Sequence, residues 1–234
     1  TRNFYERPVQ IRESKLVAAQ RGYEEFLRQL SKPVPSALPV RAAIIGGGPT
    51  GIAAGYFLGR AGISCTIFER SQQLGGVVRQ VIPSFRISEE AIEKDIQLML
   101  RMGVEVRCGA PAPSVSTLKE MGYTHIFFAC GAWKPGTLSI PGNVVPVIGW
   151  LKDLKAGKSV SLGHVAVVGG GNTAMDAARA ALRAGASSST LVYRRTKKYM
   201  PADAEELELA MADGVEFLEL VSPVRQENGR LLCQ

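Results

Sequence analysis

Residues 42–69 read AAIIGGGPTGIAAGYFLGRAGISCTIFE, in which a run of glycines separates two apolar stretches. The apolar spacing predicts a buried strand over Ala42–Ile45, a helix over Gly51–Ala61 and a second strand over Ser64–Phe68. The turn Gly46–Gly51 has G-x-G-x-x-G spacing, which gives a tight turn, room for a pyrophosphate at the backbone and close packing of the helix. This order of strand, turn and helix predicts a dinucleotide-binding unit.

An acidic residue follows the second strand of this unit. Glu69 lies roughly 20 residues after Gly48, the spacing at which a carboxylate accepts hydrogen bonds from the ribose of an adenine dinucleotide. Because a carboxylate repels a 2′-phosphate, the unit suits FAD or NAD. A glycine-rich turn with a purely structural role is the alternative interpretation.

The second half of the chain repeats the pattern with a different ending. We predict a strand over Val165–Val168, a helix over Thr173–Arg183 and a strand over Thr190–Tyr193. The turn Gly169–Ala174 between strand and helix carries alanine in the third glycine position. Four cations follow the last strand, in Arg194-Arg195-Thr196-Lys197-Lys198. Such a run is often only a solvated surface, but at this register its guanidinium groups suit the 2′-phosphate of NADP.

The remaining elements complete the fold class. Further helices are predicted over Gln10–Leu30, Glu89–Met102 and Ala202–Ala212, strands over Val104–Cys108, His125–Ala129 and Val215–Leu220, and a hairpin over Val224–Leu232 around Asn228-Gly229. Alternating strands and helices indicate an α/β fold with tandem Rossmann-like domains and parallel sheets. We place an N-terminal helical arm and proline-rich linker at 1–40 and nucleotide-binding domains at 41–148 and 149–234. A passage rich in proline and glycine, beginning at Pro135, comes before the second domain.

Composition excludes several classes of protein. The chain has 234 residues, of which 46% are hydrophobic, and a formal net charge of +7. These values suit one or two packed domains and exclude a disordered or collagen-like chain. No apolar run is long enough to span a membrane. The positive charge accompanies no recognised nucleic-acid-binding module, so we predict no nucleic-acid partner.

The cysteines and histidines predict no metal site and no catalytic side chain. Four widely spaced cysteines form no C-x-x-C pair: Cys65, Cys108, Cys130 and Cys233. Scattered thiols suit the reducing cytoplasm, where we place the protein. His125 and His164 flank predicted strands, and we expect a structural role for both.

Six motifs together resemble a known family. They are Gly46–Gly51, Glu69-Arg70, Leu74-Gly75-Gly76, Ile82-Pro83-Ser84-Phe85-Arg86, Gly169–Asp176 and Tyr193-Arg194-Arg195. Over residues 41–234 the chain resembles the glutamate synthase small-subunit group of FAD- and NAD(P)H-dependent oxidoreductases, within the pyridine nucleotide-disulfide oxidoreductase superfamily. Within that group it most resembles a subunit assigned to a selenate reductase. The resemblance implies that hydride passes from NADPH to FAD and that electrons continue to iron–sulfur clusters or a partner reductase subunit outside this chain.

The resemblance also implies which residues hold the cofactors. Those expected to hold FAD are Gly46, Gly48, Pro49, Thr50, Gly51, Glu69, Arg70, Gly76, Ala112 and Gly131. Those expected to hold NADPH are Gly170, Gly171, Asn172, Thr173, Arg194 and Arg195. Gly76 would lie on the flavin side, Ala112 would contact adenine through its backbone, and Arg194 and Arg195 would bind the 2′-phosphate. The cysteine pair of the disulfide reductases is absent, so the resemblance implies no thiol relay.

In the resembling family the chain returns to the flavin domain after the nicotinamide domain. No such segment follows Val221, so we expect both domains to be incomplete. Two other interpretations stay open. In the first, the chain is a nucleotide-binding or assembly domain without turnover, since a fold alone does not establish activity. In the second, it is a tandem NAD-binding protein without flavin.

Overall fold

The computed structural model describes residues 9–31, 33–134, 136, 138–158 and 162–234. Residues 1–8 of the predicted arm and Pro135 lie outside the described residues. The helices are α1 (Ile11–Gln29), α2 (Pro49–Arg60), α3 (Gly76–Gln80), α4 (Glu89–Arg101), α5 (Val115–Glu120), α6 (Val147–Lys155), α7 (Asn172–Arg183) and α8 (Ala204–Ala212). The strands are β1 (Arg41–Ile45), β2 (Ser64–Glu69), β3 (Glu105–Cys108), β4 (His125–Phe128), β5 (His164–Val168), β6 (Ser188–Tyr193), β7 (Glu216–Glu219), β8 (Pro223–Glu227) and β9 (Arg230–Cys233).

Two parallel sheets and one hairpin organise the described residues. The first sheet has the order β3-β2-β1-β4 and the second the order β5-β6-β7, all strands running parallel. Strands β8 and β9 form the antiparallel hairpin, and Asn228 and Gly229 take the positive φ values that its two-residue turn requires. The α/β class with parallel sheets is confirmed.

The periodicity of the sequence did not predict four short elements of the structure. These are α3, α5, α6 and a 3-10 turn over Lys197–Tyr199. Local contacts explain α5, since the Ser114 hydroxyl accepts a hydrogen bond from the Thr117 amide and caps the helix. Helix α6 forms around Leu151, which is buried with Val81 and Ala177. Neither cause leaves a helical repeat long enough to recognise in the sequence.

Packing divides the chain into two compact units that are not continuous in sequence. The first comprises the described residues of 1–46, 50–72 and 94–129, and the second those of 47–49, 73–93 and 130–234. The segment 73–93 follows β2 in the chain but packs with the unit that contains β5, β6 and β7. The nucleotide-binding domains 41–148 and 149–234 stay a prediction, because a packing unit need not be a ligand-binding domain.

Glycines allow the close packing of the first unit. Ala43, Ile44 and Ile67 of β1 and β2 are fully buried, and α2 lies on this sheet. A Cβ placed on Gly59 of α2 would lie only 2.7 Å from the Cβ of Met102. Helix α2 therefore approaches the chain after α4 more closely than any side chain at Gly59 would permit.

Alanines take the corresponding part in the second unit. Helix α7 packs on β5 and β6, and its face toward the core carries Ala174, Met175 and Ala178. Leu191 of β6 is fully buried in the same cluster. Small side chains along α7 bring the helix close to the sheet while keeping good helix propensity.

Helix α1 belongs to the first unit and buries none of its side chains. It is attached through Tyr23, whose hydroxyl donates to the Lys94 carbonyl oxygen at 3.2 Å and whose ring lies 5.2 Å from the Lys94 ammonium. Within the described ranges, no helix combines the length and apolar character needed to cross a bilayer.

Candidate functional site

The first glycine turn is fixed by main-chain geometry. Ile45 pairs with Phe68 in the sheet, and the next amide, that of Gly46, donates to the Phe68 carbonyl oxygen at 2.8 Å. Gly46 has a φ of +111°, which favours glycine. A Cβ on Gly51 would overlap the Gly46 carbonyl oxygen, so the third position of this turn accepts only glycine.

A second pair of glycines closes on this turn. The Gly75 amide donates to the Gly47 carbonyl oxygen at 2.7 Å. Gly76, at the start of α3, lies so close that a Cβ there would be 2.8 Å from the Gly48 Cα. The two backbones thus meet without side chains between them. This fits the cradle expected for the pyrophosphate and flavin side of FAD, which needs bare backbone on a close-fitting surface.

Glu69 lies where the sequence predicted a ribose-binding carboxylate. It ends β2, is only 6% exposed, and its Oε1 accepts a hydrogen bond from the Ser71 amide at 2.8 Å. Cys108 pairs with it on β3. Burial first, and the Glu69 carboxylate second, raise the pKa of the Cys108 thiol. The end of β2 therefore presents an oriented carboxylate beside a thiol whose pKa is raised.

The other predicted FAD contacts lie in loops or at the start of a helix. Pro49 and Thr50 form the first turn of α2, and Arg70 is exposed just after β2. Ala112 is half-buried against the cluster of Ala43, Phe68, Leu118 and Tyr123. Gly131 has a φ of +70° and belongs to the second unit. Their roles toward FAD stay predictions.

The second glycine turn repeats the main-chain bond of the first. Val168 pairs with Val192, and the amide of Gly169 donates to the Val192 carbonyl oxygen at 3.1 Å. Gly171 caps α7, which begins at Asn172. Asn172 and Thr173 are exposed in the first turn of α7, where free amide groups favour phosphate.

This shared bond shows that Tyr193 takes the place of Glu69. Each follows the residue whose carbonyl accepts the amide of the first glycine, Phe68 in one unit and Val192 in the other. The basic run therefore begins one residue beyond the strand-end position. A Cβ on Gly170 would lie 2.5 Å from the Tyr193 ring, so the ring packs directly against the turn. Sequence reasoning noted Tyr193 only as part of a motif and assigned it no role.

Three hydrogen bonds fasten the basic segment, residues 194–203, at several points. The Tyr193 hydroxyl donates to the Tyr199 carbonyl oxygen at 2.7 Å. The Ala202 amide donates to the Gly170 carbonyl oxygen at 3.0 Å, and the Lys197 amide donates to Glu219 Oε2 at 2.8 Å. The segment is held to the glycine turn on one side and to β7 on the other.

The four cations of the basic segment, of which Arg194 and Arg195 are predicted to bind the 2′-phosphate, stay accessible in this arrangement. Arg194, Arg195, Lys197 and Lys198 are all exposed. Asn172, predicted to contact NADPH, has its Oδ1 engaged by the Asp203 amide at 3.3 Å. Its side-chain oxygen therefore helps to hold the basic segment in place.

A buried charge cluster ties the motif Ile82–Arg86 to α7. Arg86 Nε lies 3.2 Å from Asp176 Oδ1, and the same guanidinium pairs with Glu206 of α8. Burial raises the pKa of Asp176, and Arg86 opposes that rise. The Arg179 guanidinium of α7 lies 4.8 Å from the Phe85 ring centroid. The motif is thus fixed to the helix whose first turn is the predicted NADPH site.

Both histidines make hydrogen bonds at the start of strands. His125 Nδ1 lies 3.0 Å from the Thr124 hydroxyl and His164 Nδ1 lies 2.8 Å from the Ser188 hydroxyl. Among the residues that the structure describes, no group of three or more His, Cys, Asp or Glu side chains could hold a metal ion.

The sequence matches a known protein family over most of its length. The family described as pyridine nucleotide-disulphide oxidoreductase matches residues 40–230. The chain belongs to this family. The superfamily named from the sequence motifs is thereby confirmed.

Three relatives illustrate the sequence similarity of this chain to known proteins. The YgfK protein of Escherichia coli K12 is 44% identical over 231 residues, 96% of this chain and 22% of its own length. The beta subunit of the NADPH-Fe(3+) oxidoreductase of Geobacter sulfurreducens is 37% identical, over 79% of this chain and 29% of its own. The small chain of the NADPH glutamate synthase of Azospirillum brasilense is 31% identical, over 80% and 42%. The chain thus spans less than half of each of these three relatives, and the glutamate synthase resemblance is confirmed.

Solved structures show the same fold at low sequence identity. A 2-naphthoyl-CoA reductase superposes with a TM-score of 0.70 at 17% identity, covering 85% of this chain and 31% of its own. The thioredoxin reductase of Lactococcus lactis gives 0.59 at 19% identity, covering 83% and 74%. At these identities the likeness establishes the Rossmann-like fold alone.

Proposed function

We propose that this chain is an electron-input module that binds FAD at Gly46–Gly51 and NADPH at Gly169–Ala174. Hydride would pass from NADPH to FAD, and electrons would continue to iron–sulfur clusters or a partner reductase subunit outside this chain. The names of two of the relatives support this proposal, because both names include NADPH and describe a beta subunit or a small chain.

One observation carries the choice of nucleotides. At the same place after the second strand, the first unit has the buried carboxylate of Glu69 and the second has Tyr193 followed by Arg194 and Arg195. A carboxylate binds ribose hydroxyls and repels phosphate, whereas guanidinium groups bind phosphate in charge-assisted hydrogen bonds. We therefore propose that the first unit binds a dinucleotide without a 2′-phosphate and that the second unit binds one that carries it.

The chain's own contribution is to bind and orient. The amides of the two turns and of the helices α2 and α7 would face the pyrophosphates. Bound FAD would supply the acceptor chemistry for hydride, which needs no side-chain base from the protein. The absence of a predicted catalytic residue is compatible with that reaction. The cytoplasmic location and the resemblance to a selenate reductase subunit stay predictions.

The colour of the purified chain tests the proposal. We expect visible flavin absorbance, either as purified or after addition of FAD, that NADPH bleaches anaerobically faster than NADH does. A colourless protein that binds NADPH or NADH but not FAD would favour the tandem NAD-binding interpretation. Flavin that neither nucleotide bleaches would favour a nucleotide-binding or assembly domain without turnover.

A further inference from the structure

We propose that Tyr193 is a positioning residue that sets the preference for a 2′-phosphorylated nucleotide. It would act through the backbone of the basic segment, without touching the phosphate itself. This inference rests on the proposed NADPH site and names what determines its specificity.

Tyr193 occupies the strand-end position of the second turn. It stands where the first unit has Glu69, so the second turn has no strand-end carboxylate to repel a 2′-phosphate. The side chain is buried, and its ring occupies the space that a side chain at Gly170 would need. The ring is therefore held between β6 and the glycine turn.

The hydroxyl group of Tyr193 is bonded to the backbone of the basic segment. It donates to the Tyr199 carbonyl oxygen at 2.7 Å, which is near the ideal length for an O–H···O bond. Tyr199 ends the 3-10 turn Lys197–Tyr199, which carries two of the four cations. The bond thus joins the glycine turn, through the tyrosine ring, to the backbone of the basic segment.

The exposure of the cations makes this bond matter. Arg194 and Arg195 are long and exposed, and such side chains lose conformational entropy when they bind a phosphate. A backbone held at a fixed distance from the glycine turn reduces that cost.

Two mononucleotides separate this role from a merely structural one. Adenosine 2′,5′-diphosphate carries the 2′-phosphate and adenosine 5′-diphosphate does not, and each is titrated with FAD in excess so that neither binds at the first turn. We expect Tyr193→Phe to lower the affinity for the first ligand by roughly threefold to tenfold in calorimetric titration, because one hydrogen bond is lost. The affinity for the second should change less than about twofold. The matched control is Tyr123→Phe, which loses a buried hydroxyl bond of 2.8 Å to Thr66 in the first unit and should change neither affinity.

Equal weakening of both ligands by Tyr193→Phe would overturn the proposal, because it would show only a structural role. No weakening of either would overturn it too. If the unmodified chain binds both ligands equally, the NADPH site itself fails, a result distinct from failure of the tyrosine. If Tyr193→Phe does not fold, hydrogen exchange on the unmodified chain decides. Adenosine 2′,5′-diphosphate should then protect residues 194–203 more than adenosine 5′-diphosphate does, and equal protection would refute the role.

Discussion

The two glycine turns share a main-chain hydrogen bond and differ in the side chains at the end of the neighbouring strand. Both begin with a glycine amide bonded to the neighbouring strand, through Gly46 in the first turn and Gly169 in the second. The first requires glycine in its third place, whereas the second has Ala174 there. The comparison teaches that main-chain bonds make the turn, whereas the residues that end the second strand, to which we assign the choice of nucleotide, vary independently of it.

The helices that follow the turns differ in the same way. Helix α2 approaches its neighbours through glycines, and α7 through alanines. Helix α7 also buries charge, since Asp176 is 7% exposed, while the corresponding residue of α2, Ala53, is exposed. The first helix is held by close contact and the second also by ion pairs.

Exchanging the residues in the third place of the turns should give the largest effect. We expect Gly51→Ala to lower the free energy of unfolding by more than about 4 kcal/mol, because the new methyl group overlaps a main-chain oxygen. Ala174→Gly should cost only about 2 kcal/mol, roughly 1 kcal/mol from helix propensity and about 0.8 kcal/mol from the lost buried methyl group. Urea unfolding followed by circular dichroism measures both. Equal costs would show that the two turns pack alike.

Removing the charge after β6 should abolish the nucleotide preference. We expect Arg194→Ala combined with Arg195→Ala to weaken the binding free energy of NADPH by about 3 kcal/mol or more, since each charge-assisted contact contributes roughly 1.5 to 3 kcal/mol. NADH should change little, and fluorescence titration compares the two. The control is Arg225→Ala combined with Arg230→Ala, which removes the same charge from the exposed hairpin. A similar loss for NADPH and NADH would contradict the 2′-phosphate assignment.

Breaking the ion pairs of α7 should cost less. We expect Arg86→Met to lower the free energy of unfolding by about 2 to 3 kcal/mol, because Asp176 and Glu206 lose their shared cation. Arg179, 3.8 Å from Glu206, limits the loss. Arg225→Ala, which breaks the exposed pair with Glu227, should cost less than about 0.5 kcal/mol. Thermal and urea unfolding provide the test, and similar costs would show that the buried cluster contributes no more than a surface pair.

The smallest effect concerns acid stability. Hydrogen bonds from Arg179 hold the pKa of Asp213 below its ordinary value, and bonds from Arg183 add to this. That stabilisation is present above the unfolded pKa of about 3.9 and is lost as the pH falls through the lower folded value. Asp213→Asn should therefore flatten the fall of the melting temperature below about pH 4. The raised pKa of Asp176 has the opposite effect on stability at low pH, and it is present in both proteins. A steeper fall of the melting temperature in the variant would contradict the assignment to Asp213.

The sequence predicted the strands and long helices because these carry regular apolar spacing. Strand β1 and helix α7 lie within one residue of their predicted bounds at each end. Short helices escaped prediction because caps and distant packing form them, as with Ser114 in α5. The placement of segment 73–93 in the second unit also escaped, because it depends on contacts such as that of Arg86 with Asp176, far apart in the chain.

The candidate site was predictable in its residue types and less so in its register. Counting from the glycines located Glu69 correctly at the end of β2. The same counting drew attention to Arg194 and passed over Tyr193, because the pairing of Val168 with Val192 sets the strand end and is not visible in one sequence. The bond from Ala202 to Gly170 likewise joins residues that no local pattern connects.

The main-chain bond from the first glycine of each turn to the strand beside it has an evolutionary consequence. Because it uses only amide and carbonyl groups, no substitution at Glu69 or Tyr193 removes either partner. On the proposed assignment of nucleotides, exchanges just past the strand can therefore change the coenzyme without first rebuilding the turn.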